Sequence, residues 1–446
     1  MEGIKKFKVD TRELSQKEKV LLDKLIQAVE LIAPLYLKQK NPNYLGANFY
    51  PADATKKEIE RESKKNPAIL SSYAFVERDR EGKLRAVPYH IKFEKELKKI
   101  SSLIKEAAQL SSDKKFAKYL KTQAQALLTD NYEKSDILLL KSDAFKINFI
   151  AGPFEWYLDE LFAKKYAYQA WIGILNKEKT EEARKLVTTA LSGQRKILPG
   201  SKKINVSKIK ARVDKTIVLS GLIAELLISS MNLPRGAKII KKYGSELTVF
   251  EPALRLRFER DYLPIFRKIF DKKFQKIYSL KTLYQGAFYY TLFDEIAHSL
   301  IYYKDAEKRL KNFFYVFDEF FASTLGIKLL ENLFLKGVIS QKELESVLIF
   351  YICRNFSLRQ LAIKKSDIAF HYQVRAAIAF NFLLKEGVIK VKGGGKAKYI
   401  HSLNFTKLSI SIDQLSRILE YYLALGNYEE AKQFIKTYSS FDICRK

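Results

Sequence analysis

At 446 residues the chain can bury a sizeable core, and its length suggests two to three domains or two lobes sharing one cleft. With 47% hydrophobic and 13% aromatic residues, 18 Gly, 10 Pro and no repeat of fixed period, it reads as folded, which excludes the disordered, collagen-like and solenoid classes. The net charge of +30 would suit a polyanion partner. The lysines are nevertheless scattered along the whole chain, and Lys, Ile, Phe and Tyr are all heavily used, as in an AT-rich genome. Nucleic-acid binding is therefore the weakest of the functional readings.

Residues 1–21 are charged and lack the apolar run of a secretory signal. The most apolar stretch, residues 216–231, is too short to span a membrane and is interrupted by Ser220 and Glu225. A soluble cytoplasmic protein is expected. Cys353 and Cys444 make neither a disulfide framework nor a CxxC metal site.

Along the chain, helical spacing of Leu21, Leu22, Leu25, Ile26, Val29, Ile32 and Leu35 predicts a helix over 14–40. A capping-box pattern, Thr55-Lys56-Lys57-Glu58, predicts a second. Residues 71–89 read as a hairpin turning at Arg80-Glu81-Gly82-Lys83, and amphipathic helices follow at 91–111 and 113–129. Short apolar runs at 147–150, 170–174, 216–219 and 247–250 predict strands. From about 252 helices dominate, with one late hairpin over 388–400 around Gly393-Gly394-Gly395. The fold class expected is α+β and mostly helical, with a mixed lobe over 1–250 and a helical lobe over 251–446.

Only four histidines are available, His90, His298, His371 and His401. His298 closes Asp294-Glu295-Ile296-Ala297-His298 in an apolar helical segment. Asp294 and His298, four residues apart, share a helix face about one turn apart and could grip one ion, with Glu295 beside them to polarise water. This is the HExxH zinc geometry with Asp in place of the first His. Downstream, Asp318-Glu319 sits in another apolar helix, where carboxylates need a partner or a metal. Glu319 is the third candidate ligand. The plain alternative, a charged face on an amphipathic helix, stays open on these residues alone.

Further segments occur in order: Phe49-Tyr50-Pro51-Ala52-Asp53-Ala54-Thr55, Ala86-Val87-Pro88-Tyr89, Gly152-Pro153-Phe154-Glu155-Trp156-Tyr157-Leu158-Asp159-Glu160-Leu161-Phe162, Asn232-Leu233-Pro234 and Lys242 to Ser245. From about residue 45 onward the chain resembles the shorter prokaryotic members of the dipeptidyl-peptidase III family, some of which carry a nudix-hydrolase label. No nudix box is recognisable here. The resemblance implies two lobes around a peptide-binding cleft: a mixed lobe with a small β-barrel, and a helical lobe holding zinc. It also implies removal of dipeptides from short peptides, with Asp294, His298 and Glu319 as metal ligands and Glu295 as general base.

Arg359 and His371 map onto family positions that would assist on the substrate side. The departures are Asp294 for the first histidine ligand, Phe321 for a basic residue, Ser323 for an acid and Phe154 for a tyrosine. An aspartate ligand adds negative charge and lowers the Lewis acidity of zinc. Two readings follow. One is a zinc-dependent exopeptidase, with zinc or another divalent ion as cofactor. The other is a weakened or inactive peptidase-fold protein, its metal lost, that binds peptides or a protein partner.

Overall fold

A computed structural model describes residues 2–142, 144–192, 208–234, 237–301, 303–360, 367–392 and 399–439. Strand β1 (Ile4–Lys6) leads into helices α1 (Gln16–Glu30) and α2 (Ile32–Gln39). The single helix expected over 14–40 is thus two, meeting at Leu31. Ser15 and Glu18 cap α1 reciprocally, each satisfying the other's backbone N–H. At α3 (Lys56–Lys65) only half of the expected box forms. The Thr55 side chain caps the Glu58 amide, while the Glu58 carboxylate pairs with Arg78 instead.

The expected hairpin is β2 (Ala74–Arg78) against β3 (Leu84–Pro88). Helices α4 (Glu94–Leu110) and α5 (Lys114–Leu127) follow as expected, and a shorter α6 (Glu133–Lys141) was not anticipated.

The central sheet contains β4 (Ile147–Glu155), β5 (Ala167–Leu175), β6 (Ile209–Gly221), β7 (Ser230–Leu233) and β8 (Ser245–Phe250) in the order β4-β5-β6-β8-β7. It curls as a half-barrel. The 13-residue β6 shares one edge between two partners: its first half runs parallel to β8, and its second half pairs antiparallel with β1. Between β5 and β6 lies α7 (Lys177–Leu191), a helix inside the stretch read as β-rich. Its apolar face, Ala183, Leu186, Val187, Ala190 and Leu191, packs onto the sheet side formed by Ala211, Val213, Leu247 and Val249.

Besides several short helical turns, the chain continues with α8 (Glu251–Arg257), α9 (Leu263–Ile269), α10 (Leu280–His298), α11 (Phe314–Leu335), α12 (Gln341–Gln360), α13 (Asp367–Lys385), α14 (Phe405–Ala424) and α15 (Tyr428–Ser439). The late hairpin pairs β9 (Ile389–Lys392) with β10 (Tyr399–Leu403), and its glycine-rich turn, 393–395, lies outside the described residues. The architecture is α+β and mostly helical, as expected.

Two apolar cores form, one around β4, β5 and α1 to α5, the other around α10 to α14. Helix α10 runs through the second, with Leu292, Phe293, Ile296 and Ala297 fully buried. Burying each of the three larger side chains stabilises by about 1.5–3 kcal/mol. Close packing there depends on missing side chains. A Cβ on Gly286 would lie 2.4 Å from the Ser346 backbone, and one on Gly326 would lie 2.8 Å from the Phe293 carbonyl. Glycine lets α12 and α11 approach α10 at backbone distance.

Candidate functional site

The C-terminal turn of α10 is where the candidate residues meet. Buried Asp294 and half-buried Glu295 and His298 project from it, and Asp318 and Glu319 face it from α11. His298 Nε2 lies 3.9 Å from Glu319 Oε1, and His298 Nδ1 lies 4.0 Å from Asp318 Oδ2. These two contacts are near the spacing at which side chains share an ion, since zinc ligands sit roughly 2.0–2.2 Å from the metal. Glu295 reaches the sheet as well: its carboxylate accepts a 2.9 Å hydrogen bond from Ser230 Oγ on β7. Asn232, also on β7, donates to the Glu295 carbonyl at 3.4 Å and to Ser299 Oγ at 2.7 Å. The helix end is therefore fastened to the sheet edge.

Asp294 is engaged in a different direction. Its Oδ1 accepts from Ser323 Oγ at 2.6 Å and from Tyr290 OH at 3.3 Å, and its Oδ2 lies 3.4 Å from Arg354 Nη1. Arg354 Nη1 also donates to Tyr290 OH at 2.9 Å. Burial opposes ionisation of Asp294, but Arg354, Arg375 and His298, with the Ser323 hydrogen bond, outweigh it and hold the carboxyl below its usual range. A second guanidinium, that of fully buried Arg375, donates to the Glu319 carbonyl at 3.0 Å and to Glu319 Oε2 at 3.3 Å.

The remaining groups follow from this charge arrangement. Burial pushes Asp318 up to about 6, with His298 opposing and Glu319 adding to the rise. Burial disfavours the His298 cation, yet Glu319, Asp318, Asp294 and Glu295 together raise its pKa above the ordinary value.

The zinc ligand set expected as Asp294, His298 and Glu319 does not fit this geometry. His298 and Glu319 face each other, but the Asp294 carboxylate is spent on Arg354, Ser323 and Tyr290. Among the described residues, no group of three or more His, Cys, Asp or Glu side chains is arranged to hold a metal ion. Arg354 and Arg375 supply, from within the protein, positive charge that these carboxylates would otherwise seek from a cation.

Of the substrate-side candidates, His371 is buried on α13 with its ring 6.1 Å from that of Tyr315. The Arg359 side chain lies outside the described residues, and so does that of His401. His90 pairs with Asp130 at 2.8 Å, away from this centre. The segment following β4 reaches the helical side. Trp156 packs its ring 5.2 Å from that of Tyr315. The Tyr157 hydroxyl hydrogen-bonds Tyr372, and Tyr372, burial, Glu319 and Glu295 all raise its pKa.

Arg354, Arg375, Ser230 and Tyr372 were not anticipated. The signal for the two arginines was present: each stands alone in an apolar helical run, where a guanidinium requires a carboxylate partner.

No family model matches the chain. It is 24% identical over 430 residues to Nudix hydrolase 3 of Arabidopsis thaliana, covering 88% of this chain but only about half, 54%, of that relative's length. Solved structures are more informative. The chain superposes on dipeptidyl-peptidase III from Caldithrix abyssi with TM-score 0.84 at 22% identity, covering 98% of this chain and 93% of that one. With the enzyme from Corallococcus sp. strain EGB the TM-score is 0.83 at 22% identity, with 98% and 91% covered. The fold is that of dipeptidyl-peptidase III.

Proposed function

We propose that this chain binds short peptides in the manner its peptidase-type fold supports, and that its hydrolytic metal chemistry is weakened or lost. One observation carries the reading. The residue standing where a zinc ligand is expected, Asp294, forms an ion pair with Arg354 and takes a 2.6 Å hydrogen bond from Ser323. A metal approaching that carboxylate must compete with both contacts and sit beside a guanidinium. At ordinary effective dielectrics two unit charges about 4 Å apart repel by about 4 kcal/mol.

The test is metal analysis of gently purified full-length chain, together with calorimetric titration of unlabelled tri- and tetrapeptides. Peptide binding with less than about 0.1 zinc per chain is expected. Stoichiometric zinc with dipeptide release would refute the reading.

A second reading, a zinc-dependent exopeptidase, draws on the 3.9 Å approach of His298 to Glu319 and on Glu295, held by Ser230 beside them. There Glu295 would be the base that takes a proton from water, with Arg359 and His371 assisting on the substrate side. In that case Glu295→Gln abolishes peptide cleavage while the chain stays folded, its amide oxygen still accepting from Ser230. No described helix is long and apolar enough to cross a membrane.

A further inference from the structure

Apart from the candidate site, one cavity of about 240 Å³ lies between the start of α6, the end of β4 and residues Leu233, Pro234 and Ile239. Its chemistry runs against that of the chain. In a protein of net charge +30, the cavity is lined by three carboxylates, Asp130, Glu133 and Asp136, with no lysine or arginine among its described lining residues. Three tyrosines, Tyr73, Tyr132 and Tyr166, form an aromatic wall, with Tyr73 centred 5.7 Å from Tyr132 and 5.8 Å from Tyr166. Leu233 and Pro234 add an apolar side.

The carboxylates are not fully used by the protein. The Asp130 side chain is only 8% exposed; its Oδ2 takes the His90 backbone N–H at 3.0 Å and faces His90 Nδ1 at 2.8 Å. Asp130 Oδ1 has no hydrogen-bond partner among the described residues. Asp136 is held out of its usual range by burial and by Glu133, up to about 7. A bare metal ion is a poor candidate, because no described cluster of acidic side chains is arranged to hold one and half the wall is aromatic or apolar.

We propose that this cavity is a binding site for a small organic cation, an alkylammonium or guanidinium group carrying a short hydrocarbon stem. The charged head would meet Asp130 and Asp136, the tyrosine faces would add cation–π attraction, and the stem would lie against Leu233 and Pro234. The same chemistry is offered by a free amine and by a lysine or arginine side chain of a peptide.

The experiment is calorimetric titration of the full chain with butylammonium, agmatine, the tripeptide Gly-Lys-Gly and, as neutral comparator, 1-butanol. At least one cation is expected to saturate with Kd below about 1 mM, and butanol to bind at least about tenfold more weakly. Asp136→Asn and, separately, Tyr73→Leu should each weaken the cation by about tenfold or more. Preference for agmatine over the tripeptide identifies a free amine as ligand, and the reverse order identifies a peptide side chain; either supports the site. No saturable heat up to ~10 mM, equal binding of butanol, or unchanged affinity in Asp136→Asn would overturn it. Binding of a peptide free of Lys and Arg is not expected to respond to Asp136→Asn, so failure here is separate from failure of the peptide-binding reading.

Discussion

Replacing Asp294 by Asn separates the two roles open to that carboxylate. If Asp294 is the partner of Arg354, the substitution leaves a guanidinium facing a neutral amide. Removing one member of a fully buried pair costs about 3–5 kcal/mol. The Asp294 side chain is 8% exposed and that of Arg354 is 20% exposed, so solvent screens part of the loss and about 2–3 kcal/mol is expected. The assay is urea unfolding of the wild type, Asp294→Asn, Arg354→Gln and the double variant, read as a cycle. A coupling of about 1–3 kcal/mol is expected, with the double variant less destabilised than the sum of the singles.

Asp294→His sharpens the contrast. As an ion-pair partner, Asp294 cannot be exchanged for His without loss of stability, because an imidazole offers Arg354 no charge. As a metal ligand, it can be exchanged with gain of zinc affinity, because His binds zinc more readily than a second carboxylate at the same site. Coupling below about 0.5 kcal/mol, together with a wild-type midpoint that rises with added zinc, would refute the ion-pair argument.

Three further outcomes are expected. Asp136 has its folded pKa raised from 3.8 to about 7, so the native state holds that proton more tightly and stability falls as pH rises from about 4 to 7, then levels. Asp136→Asn removes this loss: melts should match wild type at pH 4 and exceed it at pH 8, by at most about 4 kcal/mol. Gly326→Ala places a methyl 2.8 Å from the Phe293 carbonyl and should cost about 1–3 kcal/mol in chemical unfolding, where an exposed glycine such as Gly337 should tolerate a side chain more cheaply in space, though its φ of 68° still strains one. Ser230→Ala frees the Glu295 carboxylate from β7 at a cost of about 1.5–3 kcal/mol, and a stability loss under 0.5 kcal/mol would show that the tether is not formed.

Much of the fold was legible because its signals are local. The α1 cap, the β2–β3 hairpin and helices α4 and α5 each declare themselves within a few residues. Helix α7 escaped because the strand reading followed short apolar runs, while the apolar stripe from Ala183 to Leu191 is preceded by a run of charges. At the candidate site, spacing placed Asp294 and His298 on one helix face. Spacing does not say which neighbour a side chain chooses. That choice is made by Arg354, 60 residues downstream on α12, and by Ser323 on α11, at sequence separations no periodicity reports.

The departures from the family pattern then read as one change rather than several. A histidine at position 294 would present an N–H to its neighbour, and an acid at 323 would accept it. In this chain the polarity is reversed: Asp294 accepts and the Ser323 hydroxyl donates, at 2.6 Å. Reversal leaves the aspartate with a full negative charge in a site only 6% exposed, and Arg354 meets it from α12 at 3.4 Å. Each substitution alone would bury an unmatched group, at a cost of about 1–3 kcal/mol or more. Together they close a network among α10, α11 and α12 from hydrogen bonds and one ion pair. Restoring only Asp294→His should therefore fail to restore a metal site, because it leaves the imidazole beside the Arg354 guanidinium with no acid at 323 to orient it. The combination Asp294→His, Ser323→Asp and Arg354→Met is the one expected to bind zinc stoichiometrically. If Asp294→His alone does so, the three positions act independently and the reversal of polarity has no bearing on metal affinity.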